Sequence, residues 1–357
     1  MTTAEAESRH PFPAESPSGR DAESRRLLGE GRRVRQPTGR SPRGETNRVL
    51  IAIIGPTAVG KTAVALQLAE ELPALVEVVS ADSRQIYRHM DIGTAKPTAE
   101  ERLRARHHLL DIVEPDQPLS LAQYQHLAYG AIEDIQRRGR IPLLVGGTGL
   151  YVRAVLDGLK IPHVAPDSDL RQRLYAEAEA VGCERLHQRL RQVDPVAAER
   201  IDARNVRRVI RALEVCYSLG KPMSSVQDAS PPPYRVLRVG LTMPRALLYQ
   251  RIDERIERMM ASGLVQEVRW LAERGFSCHL PAMSSVGYRE VGMYLRAEAT
   301  LEQAGALIKR HTRRLVRQQY NWFRESDPRI VWFDASQPVL KAVLERVHTF
   351  LNREGKD

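Results

Sequence analysis

Apolar positions first become regular at Val49, where six in a row to Ile54 lead into a Gly-rich turn and then into Thr62 to Leu72 with helical spacing. This reads as strand, loop and helix. A second apolar run, Leu75 to Val79, ends at Ser80-Ala81-Asp82, a third spans Leu109 to Val113, and a fourth, Ile141 to Val145, ends in Gly146-Gly147-Thr148-Gly149. A helix is predicted from Ser120, whose spacing to Gln123 is that of a capping box. Continuous apolar strands that alternate with helices have no polar face to offer water, so they predict an α/β fold with a parallel sheet covered by helices on both faces. The GxxxxGK[ST] turn at 55–62 after the first strand makes it a P-loop parallel-sheet core. Such sheets bind ligands at the carboxyl ends of their strands.

Between His163 and Gly220 the pattern changes, because no strand-like run occurs and helices are predicted from Ser168, Cys183, Pro195 and Asn205. Pro231-Pro232-Pro233 closes this stretch. Val236 to Leu241 resumes the strand pattern, followed by helices from Pro244, Leu264 and Leu301, a strand at Ile330 to Phe333 and a final helix near Val339. The expected organisation is a catalytic core formed by 48–160 and 235–357, interrupted by an inserted all-helical domain at 161–234. Residues 1–47 carry nine Arg against seven acidic residues, five Pro and few aromatic or β-branched residues, so they are expected to be disordered. They also read as an extension upstream of the true start.

Composition narrows the class. Apolar residues at 42% and charged residues at 27% of 357 are ordinary for a folded chain and exclude a collagen, a coiled-coil rod or a wholly disordered protein. The longest apolar run is six residues, too short to span a bilayer, and residues 1–30 lack the apolar stretch of a signal peptide. Cys183, Cys216 and Cys278 form no CxxC pair or zinc spacing and read as thiols in a reducing compartment, so a cytoplasmic location is expected. The net charge is +10, carried by 47 Arg and only seven Lys. Arg favours planar, bidentate phosphate contacts, although a biased genome enriches it too.

The strongest chemical signal is the GxxxxGK[ST] loop formed by Gly55, Pro56, Thr57, Ala58, Val59, Gly60, Lys61 and Thr62, placed after a strand and before a helix. Its backbone N–H groups cradle a phosphate, Lys61 adds a point charge, and the Thr62 hydroxyl can reach a bound Mg²⁺. In nucleotide triphosphatases a neighbouring strand ends in a magnesium-binding Asp, whereas here it ends in Gly-Gly-Thr-Gly. The Asp directly beyond a core strand is Asp82. At that place its carboxylate can ligate Mg²⁺, accept a proton or cap a helix. His10, His107 and His108 lack metal-ligand spacing and are expected to be structural.

Arginine clusters in two places. Arg200, Arg204, Arg207, Arg208 and Arg211 recur at helical spacing in the insertion, and Arg310, Arg313, Arg314 and Arg317 do so beside Tyr320, Trp322 and Phe323. Cationic stripes next to aromatic residues suit phosphate tracking with base stacking, and a solvated helix face is the plain alternative. Arg251 and Arg255 share a helix face four residues apart, a possible phosphate clamp.

Taken together, the phosphate loop, Asp82-Ser83 with Ile86-Tyr87, Asp91-Ile-Gly-Thr-Ala-Lys-Pro97, Ile141 to Tyr151, Arg211-Ala-Leu-Glu-Val215, Ser285-Val-Gly-Tyr-Arg289 and the segment from Arg317 to Arg324 resemble the bacterial tRNA dimethylallyltransferase family, also called tRNA isopentenyltransferases. The resemblance runs in register over about residues 49 to 334. It implies transfer of a dimethylallyl group from dimethylallyl diphosphate to N6 of the adenosine immediately 3′ of the tRNA anticodon, with Mg²⁺; a cytoplasmic monomer that does not engage a membrane is expected. The family's catalytic Asp falls on Asp82 and its loop threonines on Thr57 and Thr62, while Lys61 and Arg255 would hold the leaving diphosphate. Family tRNA contacts fall on Asp82, Ser83, Arg84, Gln85, Thr148, Arg171, Arg207, Arg208, Val209, Ile210 and Arg211. They fall also on Ser284, Ser285, Val286, Gly287, Tyr288 and Arg289, and on Arg317, Gln318, Gln319, Tyr320, Asn321, Trp322, Phe323 and Arg324. Val59 stands where the family usually has a small residue such as Ser. The zinc motif of eukaryotic members is absent. A P-loop kinase of small metabolites, a prenyltransferase acting on free adenine nucleotides and a non-catalytic RNA-binding protein are the competing readings.

Overall fold

In the computed structural model, residues 48–72 and 75–352 are described. The expectations for residues 1–47, His10 included, lie outside them. Six strands form one sheet in the order β3-β2-β4-β1-β5-β6: β1 Val49–Ile54, β2 Val76–Ser80, β3 His107–His108, β4 Ile141–Gly146, β5 Arg235–Thr242 and β6 Ile330–Asp334. Every pairing is parallel. Alternation along β1 explains why the sheet is covered twice. Ile51 and Ile53 enter one apolar cluster, and Leu50, Ala52 and Ile54 enter another on the opposite face.

The first cluster is covered by helices α1 Lys61–Glu71, α9 Arg245–Ala261, α10 Leu264–Glu273, α11 Tyr288–Leu295, α12 Leu301–Trp322 and α13 Leu340–Asn352. The second is covered by α3 Leu121–Arg137 and α4 Gly149–Leu156. The Ser120/Gln123 capping box is present. A short helix α2, Ala99–Arg104, is capped in the same way by Thr98 and Glu101. In the insertion, α5 Ser168–Val181, α6 Cys183–Val193, α7 Pro195–Arg200 and α8 Val206–Leu219 pack on a cluster of their own, which includes Leu174, Leu186, Leu190, Val209, Ile210 and Leu213. No helix among the described residues is long and apolar enough to cross a membrane.

One expected strand is corrected. The third strand is His107–His108 instead of Leu109 to Val113. Leu109 and Asp111 have φ of 63° and 56°, which breaks extended pairing, and Asp111 is drawn into ion pairs with Lys96 and Arg102. Helices α2, α4 and α11 were not foreseen.

The register brings the carboxyl ends together. Ile54 pairs with Gly146 on one side and Gly240 on the other, and Ser80 pairs with Val145. The phosphate loop, the Asp82 turn and the Gly-Gly-Thr-Gly turn therefore leave the sheet at one edge.

Candidate active site

The loop after β1 is fixed by its backbone. Gly55, Ala58 and Gly60 have φ of 148°, 66° and 106°, and a Cβ at Gly55 would stand 2.5 Å from the Leu241 carbonyl oxygen. These turns set the N-terminus of α1 against the loop, where the helix dipole favours an anion. Lys61 Nζ donates to the Pro56 carbonyl at 2.7 Å, so its ammonium lies over the loop.

Thr57, Lys61, Thr62, Asp82, Gln85 and Arg255 share one cavity of about 1000 Å³. Arg251 and Arg258 line it as well, as do Asp91 to Ala99 of the turn leading into α2. Burial lowers the Lys61 ammonium to about 8; Asp82 opposes this and Arg255 reinforces it. Burial likewise lowers Arg255, again opposed by Asp82. Two cations short of solvation thus face one carboxylate, an electrostatic arrangement that an incoming polyanion relieves.

Asp82 Oδ1 accepts the Arg84 N–H at 2.8 Å, which fixes the carboxylate in a turn; no helix follows, so helix capping is not its task. Beneath it, Tyr124 and Tyr151 stack at 3.6 Å between centroids, and the Tyr124 hydroxyl donates to the Ser80 carbonyl. Thr148 Oγ1 accepts the Ser83 N–H at 3.0 Å, so the Gly-Gly-Thr-Gly turn holds the Asp82 turn. The opposite wall is held from α10 and α11. Glu267 accepts the N–H groups of Asp91, Ile92 and Gly93 and the Tyr288 hydroxyl. Buried Lys96 is neutralised by Asp91 and Asp111.

The IPP transferase family profile matches residues 85–326, and an isopentenyl transferase profile matches residues 48–115. A tRNA dimethylallyltransferase of Roseiflexus castenholzii is 53% identical over 291 residues, covering 82% of this chain and 94% of the relative. That of Thermomicrobium roseum is 48% identical over 309 residues, covering 86% and 93%. The chain belongs to the tRNA dimethylallyltransferase family. Solved structures agree: the tRNA isopentenylpyrophosphate transferase of Bacillus halodurans is similar at a TM-score of 0.63 and 42% identity, over 85% of this chain and 96% of that one. A eukaryotic dimethylallyltransferase, described as acting on tRNA, is similar at 0.72 and 26%, over 87% and 81%.

With the family in hand, the residues expected to touch tRNA divide by burial. Arg207, Arg208, Arg314, Arg317, Gln318, Asn321, Trp322, Arg324 and Ser284 are exposed, and Ser83, Arg84, Gln85, Thr148, Val286 and Tyr320 are partly so. Val209 and Ile210 are buried in the insertion core, and Ser285, Tyr288, Gln319 and Phe323 are buried against the sheet and its helices, so their side chains have no surface to offer RNA; Gly287 is buried as well. Arg171 and Arg211 are not free cations, because both donate to Glu214, which lies buried between them. Burial works to raise that carboxyl, and the hydrogen bonds from Arg171, Arg211 and the Asp167 N–H outweigh it. Arg313 turns inward to Asp253, and exposed Arg289 donates to buried Glu290. His108 bonds to Glu77 and His107 to the Ala105 carbonyl, both structural as expected.

Glu267, Arg258, the Tyr124–Tyr151 pair and the inward use of Gln319 escaped the sequence reading, whereas Arg251 and Arg255, read there as a phosphate clamp, do line one cavity. Lys96 and Asp91 stood inside a quoted motif without a role.

Proposed function

We propose that this chain transfers a dimethylallyl group from dimethylallyl diphosphate to N6 of the adenosine immediately 3′ of the tRNA anticodon, as a cytoplasmic monomer. The observation that carries the reading is the shared cavity in which Lys61, Arg255 and the phosphate loop face the fixed carboxylate of Asp82. The relatives at 53% and 48% identity support the RNA substrate, and nothing among them favours a kinase, an enzyme of free nucleotides or a non-catalytic RNA-binding protein.

The diphosphate lies against the loop amides, with Lys61 and Arg255 matching its charge. As the bond from the allylic carbon to oxygen breaks, its electron pair moves onto the diphosphate, and these cations stabilise the growing charge more in the transition state than in the ground state. The Thr57 hydroxyl lines the same cavity and can donate to a leaving oxygen. The N6 lone pair forms the new bond to carbon, and Asp82 takes the N6 proton. The adenine must leave its stack to reach this depth, so a grip on the surrounding RNA is needed. The exposed Arg207 and Arg208 on α8 and Arg310, Arg314 and Arg317 on α12 supply one.

The donor chemistry fits Mg²⁺. Thr62 and Asp82 offer hard oxygens to the same cavity, and Mg²⁺ commonly takes one or two carboxylates and leaves its other positions to phosphate and water. Among the described residues no group of three or more His, Cys, Asp or Glu competes as a protein-only cage. Bound there, the ion would neutralise diphosphate charge.

The test is to incubate the protein with dimethylallyl diphosphate, Mg²⁺ and unmodified tRNA, then map the mass gain to a nucleoside. Modification of the adenosine 3′ of the anticodon is expected. ATP turnover without RNA, or prenylation of AMP in its place, would overturn the reading.

A further inference from the structure

Gln319 sits on α12 among residues whose exposed neighbours, Arg317, Gln318 and Asn321, face outward, yet its own side chain is 7% exposed. Its carboxamide is used at both ends. Oε1 accepts the Thr57 N–H at 2.8 Å, and Nε2 donates to the Gly147 carbonyl at 2.9 Å. Only one orientation of the amide satisfies both partners, since one is a donor and the other an acceptor. The bridge thus ties the phosphate loop to the Gly-Gly-Thr-Gly turn across 262 and 172 residues of sequence.

Space around the bridge is shaped for it. A Cβ on Gly147 would stand 2.6 Å from Gln319 Nε2, 3.3 Å from the Gly55 carbonyl oxygen and 3.4 Å from Lys61 Nζ. One turn along α12, Trp322 occupies the room that a side chain on Gly149 would need, at 2.2 Å. Two glycines of one turn therefore admit two side chains of one helix.

We infer that Gln319 is a positioning residue of the phosphate loop, and not a contact of the RNA. The Thr57 amide is directed at Gln319, so Gln319 fixes the peptide plane that aims the Thr57 side chain into the cavity. It also holds the Gly147 turn beside Lys61. The inference rests on the reading of this cavity as a diphosphate site, and the two can fail separately. If inorganic diphosphate with Mg²⁺ does not bind the wild-type protein, the diphosphate reading fails.

The decisive variant is Gln319→Met, which keeps the volume and removes both hydrogen bonds. With wild-type binding established, calorimetry should show the affinity for inorganic diphosphate falling about tenfold, because the loop must then be ordered at the expense of binding. Affinity for an anticodon stem-loop RNA should stay within about twofold, and the KM for the allylic donor should rise while the KM for RNA does not. Gly147→Ala pushes the flexible end of Gln319 aside, so it should reproduce this pattern, and the double variant should be no weaker than the worse single one. Gly147→Ala also carries the test should Gln319→Met not fold. Weaker RNA binding with unchanged diphosphate affinity, no change in either, or additive losses in the double variant would overturn the inference.

Discussion

The catalytic cavity and the arginine-rich helices α8 and α12 use charge in opposite ways. In the cavity Lys61 and Arg255 are half-buried with no carboxylate at salt-bridge distance among the described residues, and loss of solvation depresses both, so their charge is left for a ligand. On those helices and on α5 several arginines that look free in the sequence already have partners. Arg171 and Arg211 neutralise Glu214, and Arg313 neutralises Asp253. The difference shows that a basic stripe counts as an RNA surface only after the buried carboxylates beneath it are subtracted. What remains, Arg207 and Arg208 on one helix and Arg310, Arg314 and Arg317 on the other, is exposed.

The largest effect should come from Asp82→Ala. One carboxylate acts on the reacting amine and none of the RNA backbone, so single-turnover transfer should fall by about 10²-fold to 10⁴-fold while RNA affinity holds. A filter-binding titration beside the rate measurement checks both halves, and wild-type turnover would remove Asp82 from the chemistry.

Breaking the pair beneath the insertion's stripe comes next. Glu214→Ala removes the buried acceptor shared by Arg171, Arg211 and the Asp167 N–H; both guanidinium groups are partly exposed and can rehydrate, so the cost is about 1–3 kcal/mol and the melting temperature should drop by a few degrees. Arg207→Ala with Arg208→Ala should leave it unchanged, because surface replacements away from such features cost little. Equal melting shifts in the two variants would erase the distinction between structural and free arginine.

The pH dependence sharpens the cavity side. In the proposed function Lys61 has to be charged to hold the diphosphate, and in the free protein burial brings its ammonium down to about 8. Donor affinity, measured without RNA, should be flat below about pH 8 and decline as pH rises above it, up to tenfold per unit, because binding then requires proton uptake. Lys61→Arg should flatten the profile, since guanidinium stays charged. A wild-type profile level to pH 9.5 would mean that Lys61 is not the titrating group.

A smaller effect separates faces of α12. Arg314→Ala with Arg317→Ala should reduce the salt dependence of RNA binding by about 0.7 to 0.9 log units of slope for each phosphate left without its cation, while Arg313→Ala should leave that slope alone. Titrations at several salt concentrations test this.

The sheet, the phosphate loop and the helical character of the insertion were legible because each is written locally, in runs, spacing and caps. Asp82 was legible because it directly follows a strand at the ligand-binding edge. Glu267, on α10, was not, because the wall it holds lies about 175 residues away and nothing near Glu267 signals a loop in need of an acceptor. Gln319 was read with its exposed neighbours for the same reason: helical spacing gives a face, but the partner of that face is set by tertiary packing. The third strand failed where apolar content suggested extension and the ion pairs of Asp111 imposed a turn.

The proposed function assigns bond formation to the cavity and RNA grip to the exposed arginines of α8 and α12. The most direct test is to measure, in one variant carrying Arg207→Ala, Arg208→Ala, Arg314→Ala and Arg317→Ala, both the Kd for tRNA and the single-turnover transfer rate at saturating tRNA. The Kd should rise about tenfold or more, with the rate at saturation within about twofold of wild type. An unchanged Kd with a collapsed rate would contradict this separation.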